Sequence, residues 1–124
     1  MHKHPRQLEN HGMDITQQLT DGVTVLKITG RFEFSSRKMF MGALQKSQEG
    51  SPRHIILNLE GVPFLDSAAL GLLALVQQNL KAQKIQLSLL NPQGYVKKVL
   101  ELANFPQFIP IVSSIAEAKL AVFV

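Results

Sequence analysis

Residues 53–75, RHIILNLEGVPFLDSAALGLLAL, decide the fold. The run 54–59 has an apolar Ile-Ile-Leu centre without alternation, the pattern of a strand covered on both faces. A short turn leads to Asp66-Ser67, residue types that cap helices. Ala68, Ala69, Leu70, Leu72, Leu73, Ala74, Leu75 and Val76 follow before the chain turns polar at Gln77-Gln78-Asn79, and this density predicts a helix over 67–82. A buried strand that feeds a helix is the first half of a parallel crossover, so the rest of the chain should supply more strands for one sheet.

It does so in both directions. Upstream, residues 1–12 are polar, carry Pro5 and show no periodicity, which predicts a loose tail. Met13, Ile15 and Leu19 suggest a first strand, Thr20-Asp21-Gly22 a tight turn, and Val23, Val25 and Ile28 a second strand, together an opening hairpin. Gly30 breaks it. Ser35 or Ser36 is placed to cap a helix whose inner face is Met39, Phe40, Ala43, Leu44 and Ser47, and Gly50-Ser51-Pro52 ends that helix. Downstream, 85–90 reads as a strand, Asn91-Pro92 as a turn, 95–102 as a helix with Val96, Val99 and Leu100 inside, and 108–112 as a short last strand. Ser113 or Ser114 caps a final helix through about Leu120. The predicted fold is α/β, in the order β-β-α-β-α-β-α-β-α, with a mixed central sheet and helices mainly on one face; residues 13–124 are expected to form a single domain.

Composition narrows the function. The 124 residues are 45% hydrophobic and 18% charged, the balance of a chain that folds around a core rather than staying disordered. There is no cysteine, which excludes disulfides and thiolate metal sites and is compatible with the cytoplasm. No apolar run approaches a membrane span, so membrane insertion is not expected. The formal charge of +4 raises nucleic acid as a partner, but Lys and Arg are scattered, and the adjacent pairs Arg37-Lys38 and Lys97-Lys98 have no interleaved stacking aromatics. Direct nucleic-acid binding is therefore not expected.

Catalytic constellations are missing. The sequence has no Gly-x-Ser-x-Gly elbow, Walker A loop or Gly-x-Gly-x-x-Gly motif, and nothing places His54 as a base for Ser67. His2, His4 and His11 fall in the tail, where no fixed geometry holds a metal. The chain reads as a substrate rather than an enzyme, needing neither cofactor nor metal of its own. Ser67 is the residue on which such a reading turns. A hydroxyl at a helix start tolerates added negative charge, and an apolar surface built from Val62, Phe64, Leu65, Ala68, Leu72 and Leu73 would lose a docked partner when a phosphate arrived. The plainer reading is that Asp66-Ser67 is only a cap.

The sequence resembles the STAS domain family, named for sulphate transporters and anti-sigma-factor antagonists, and within it the free-standing bacterial antagonists. The resemblance runs through VTVLKITGRFE at 23–33, RHIILNLEGVPFLDSAALG at 53–71 and IQLSLLNPQGYVKKVLELANF at 85–105. Its most specific part is Leu65-Asp66-Ser67 with Leu70-Gly71. It implies a STAS-like fold and phosphorylation of Ser67 by an anti-sigma factor that is a serine kinase of the histidine-kinase-like ATPase fold. It also implies a metal-dependent serine phosphatase that resets the switch, and partner contacts from Asp66, Ser67, Ala68, Leu70, Gly71, Arg31, Glu33 and Phe64. Two departures stand out. Ala68-Ala69 replaces the usual Ser/Thr-Gly, which stiffens the helix start, and Glu33 stands where relatives often have aspartate. The same family also implies an alternative, an accessory subunit of a membrane transporter with a permanent interface.

Overall fold

The computed structural model describes residues 12–121. Strand β1 (Met13–Thr20) pairs antiparallel with β2 (Val23–Gly30) across Asp21 and Gly22, whose φ angles of 50° and 78° give the left-handed two-residue turn that matches strand twist. Helix α1 (Arg37–Ser47), strand β3 (His54–Gly61), helix α2 (Ser67–Ala82), strand β4 (Gln86–Leu90), helix α3 (Gly94–Leu102), strand β5 (Ile111–Val112) and helix α4 (Ile115–Ala121) follow. The sheet order is β1-β2-β3-β4-β5, and every pair after the hairpin is parallel. The predicted element order and mixed sheet are both observed.

The strands' two-residue period separates two cores. Leu26, Ile28, Ile55, Leu57, Leu59, Leu87 and Leu89 face α1, α2 and α3, meeting Phe40 and Leu44, then Leu73, Val76 and Leu80, then Val96 and Leu100. On the other face Val23, Val25, Ile56, Leu90 and Val112 form a smaller cluster closed by Ile115 and Ala118 of α4. Helices therefore lie mainly, not wholly, on one face. Further along that second face Lys27 and Glu60 are exposed.

Two local readings are corrected and a third is narrowed to one of its two residues. Ser36 occupies the N-cap position of α1 without capping it, because its hydroxyl donates to the carbonyls of Arg31 and Glu33 and accepts the Glu33 amide at 2.9 Å, folding the preceding loop instead. The last strand is Ile111–Val112 rather than 108–112, since a 3₁₀ turn at Phe105–Gln107 takes Phe108 and Ile109 into its own hydrogen bonds. Ser114, not Ser113, caps α4, accepting the Glu117 amide at 3.0 Å. The predicted tail falls outside the described residues, except Gly12.

Past the end of β2 the chain pairs once more. Phe32 opposes Leu65 in an isolated parallel bridge, with the Phe32 amide donating to the Phe64 carbonyl at 2.9 Å and the Asp66 amide to the Phe32 carbonyl at 3.3 Å. Phe32 and Leu65 are both buried, which pins the start of α2 against the β2–α1 loop. This bridge positions the site.

Candidate functional site

Asp66 is the N-cap of α2, its Oδ1 accepting the Ala69 amide at 2.9 Å. Its Oδ2 accepts the Phe34 amide of the neighbouring loop at 3.2 Å. With both carboxylate oxygens engaged, Asp66 makes no bond to Ser67, whose exposed hydroxyl has no hydrogen-bond partner among the described residues. The cap and the candidate acceptor are thus separate parts. The amides of Ser67 and Ala68 are likewise unpaired among the described residues, as expected for a first helical turn.

Helix α2 is one-sided. Ala69, Leu72, Leu73, Val76 and Leu80 are buried, while Ser67, Gly71 and Leu75 lie exposed one turn apart on the outer face. Ala68 is half-buried, and half-buried Leu70 packs against the main core. The apolar surface expected around Ser67 is consequently different in membership. Val62, Leu65, Leu72 and Leu73 are core residues, and only Phe64 and Ala68 of the expected set keep exposed surface.

Residues from other elements take their place. The Phe64 ring stacks parallel to Tyr95 of α3, centroids 6.0 Å apart, and the Arg31 guanidinium lies over Phe64 with Cζ 4.2 Å from the centroid. Arg31 Nε also donates to Glu33 Oε1 at 3.2 Å, and Ser35 Oγ donates to the other oxygen of Glu33 at 3.4 Å. An exposed guanidinium on an aromatic face contributes about 0.5–1 kcal/mol and orders both side chains. Phe34 is 69% exposed and Tyr95 56%, so exposed aromatic side chains stand both on the β2–α1 loop, whose Phe34 amide bonds Asp66, and on α3, where Tyr95 stacks on Phe64. Sequence reasoning missed Phe34 and Tyr95. The available signal was that Tyr95 precedes Val96 and so stands off the inner face set by Val96, Val99 and Leu100.

Elsewhere, His54 is buried on the face away from α2, with Nε2 2.8 Å from Ser88 Oγ, and burial holds its imidazole below the usual range. It takes no part in the Ser67 surface. Among the described residues no three His, Asp or Glu side chains are grouped to hold a metal ion; His2, His4 and His11 lie outside those residues. No helix among the described residues is long and apolar enough to cross a membrane.

A family model described as the STAS domain matches residues 14–118, from the second residue of β1 into α4. The chain belongs to the STAS domain family. A STAS-domain containing protein of Pseudomonas aeruginosa is 34% identical over 86 residues, 69% of this chain and 84% of that protein. The crystal structure of an anti-sigma factor antagonist from Mycobacterium paratuberculosis matches this STAS domain with a TM-score of 0.79 at 20% identity, covering 92% of this chain and 97% of that one. The Bacillus cell fate determinant SpoIIAA in its phosphorylated form matches with a TM-score of 0.65 at 21% identity, covering 88% of this chain and 99% of that one. At such identities the two structures establish a shared fold, and function has to be argued from the site.

Proposed function

We infer that this STAS domain is a partner-switching regulator of the anti-sigma-factor-antagonist kind, docking an anti-sigma factor or related serine kinase when unmodified and releasing it when Ser67 is phosphorylated. One observation carries the reading: the Ser67 hydroxyl, on the first residue of α2, is exposed and has no hydrogen-bond partner among the described residues, while Asp66 does the capping through other contacts. A serine needed only for the cap would have its oxygen on an amide. The structural likeness to a protein solved in a phosphorylated form adds support at the level of fold.

In the proposed reaction the kinase holds ATP, Ser67 Oγ attacks the γ-phosphorus, ADP leaves and the serine proton passes to a base on the kinase. A metal-dependent phosphatase reverses the state by hydrolysing the phosphoester. The domain supplies the acceptor and the docking surface and performs no catalysis. Arg31, Glu33, Phe64, Asp66, Ala68, Leu70 and Gly71 are the proposed contacts, extended by Phe34 and Tyr95. Binding is broken by charge: a phosphate adds about −1.5 to −2 at neutral pH beside the carboxylates of Asp66 and Glu33, and burying it in an apolar interface is unfavourable.

The test is to incubate the purified protein with ATP and the serine kinases encoded in the same genome, then map the product by mass spectrometry. A single phosphate at Ser67, absent in Ser67→Ala, is expected. Phosphate at other residues only would overturn the assignment.

A further inference from the structure

The bridge between Phe32 and Leu65 fixes what lies on the outer surface beside Ser67. With those two side chains turned into the core, their neighbours Arg31 and Phe64 on one side, and Glu33 and Asp66 on the other, project outward in adjacent rows. Arg31 leans along this surface, held by the Phe64 ring at 4.2 Å and by Glu33 through Nε at 3.2 Å. Its terminal Nη groups, the donors that grip a phosphate in bidentate fashion, have no hydrogen-bond partner among the described residues. With the chain extended through Asp66, spacings of about 4.8 Å between rows and about 3.3 Å per residue along them set Arg31 and Ser67 at roughly 11 Å between Cα atoms. An extended arginine and a phosphoserine side chain close that gap between them.

Resting on the reading of Ser67 as the modified residue, we propose that Arg31 is the receptor of the Ser67 phosphate. Its guanidinium leaves the Phe64 ring and Glu33 and takes two phosphate oxygens instead. The single Arg31–Glu33 contact is an exposed pair of small net value, whereas a bidentate bond to a dianion is charge-assisted at both oxygens, so the exchange is favourable. Two consequences follow for the surface. Phe64 loses its cationic cover beside Tyr95, and Glu33 is left as an unpaired negative charge. Phosphorylation thereby alters the docking face on both sides of Ser67 rather than at one atom.

The experiment needs no partner. Protein carrying phosphoserine installed at position 67 during translation is titrated by ³¹P NMR, as the parent and as Arg31→Gln and Arg31→Lys, with amide spectra reporting that each variant keeps its fold. A nearby cation favours the dianion, so Arg31→Gln is expected to raise the second phosphate pKa by roughly half a unit to one unit. Arg31→Lys, which keeps the charge without the fork, should raise it by less. The Arg31 Nε–H resonance should also move between unmodified and phosphorylated parent. Equal second pKa values in the parent and Arg31→Gln, with an unmoved Nε–H resonance, would overturn the proposal. That result would leave partner switching standing, because kinase binding is not read.

Discussion

The carboxylate of Asp66 accepts the amide of Phe34, 32 residues earlier in the chain, at 3.2 Å. Its second oxygen caps α2 through Ala69, so one side chain ties the helix carrying Ser67 to the loop carrying Arg31 and Glu33. Asp66→Ala removes both bonds and is expected to cost about 1–2 kcal/mol in urea unfolding, with Asp66→Asn recovering only part of it, because its one carbonyl oxygen can accept one of the two amides. Amide exchange locates the effect. Phe34 and Ala69 should both exchange faster in Asp66→Ala, and an unchanged Phe34 amide would show that the loop is held by other means.

Thr24 gives a prediction of opposite sign. It is fully buried in β2, and its Oγ1 has no hydrogen-bond partner among the described residues. An unsatisfied buried hydroxyl costs about 1–3 kcal/mol, and valine keeps the β-branched shape. Thr24→Val should raise stability by about 1 kcal/mol. A loss of stability would mean that the hydroxyl is satisfied in solution.

His54 should make stability depend on pH. Burial holds its pKa below the ordinary value, so the folded protein keeps the imidazole neutral while the unfolded chain takes a proton near pH ~6.5. The stabilisation from neutral His54 is complete above that value and declines as pH falls through it towards the folded pKa. Urea midpoints should therefore drop between about pH 7.5 and about pH 5.5, and His54→Gln should flatten the drop. An equal drop in the variant would assign it to other groups.

Most of the fold was legible because its signals are local. The apolar run after Asp66 predicted α2 with its observed bounds, Ser67–Ala82, and Thr20-Asp21-Gly22 predicted the hairpin turn. Errors arose where a residue's partner lies outside its own element. Ser36 has the right type and place for a cap, but the carbonyls of Arg31 and Glu33 take its hydroxyl. The surface around Ser67 was less legible still. Val62, Leu65, Leu72 and Leu73 are near it in sequence yet point into the core, whereas Phe34 and Tyr95 reach it from separate elements. Helical periodicity tells which residues share a face, not which loops meet.

The central claim is that phosphate on Ser67 releases a docked partner. Calorimetric affinity for the kinase that phosphorylates Ser67 tests it most directly, using unmodified protein, Ser67→Ala, Ser67→Asp and the phosphorylated form. Ser67→Ala should bind like unmodified protein, since its surface stays small and neutral. Ser67→Asp should bind more weakly, and the phosphorylated form at least about tenfold more weakly, a loss of roughly 1.4 kcal/mol. Thermal melts should change little, because negative charge is tolerated at a helix N-terminus. Equal affinity of the phosphorylated and unmodified forms would contradict partner switching and favour a permanent interface, as in an accessory subunit of a membrane transporter.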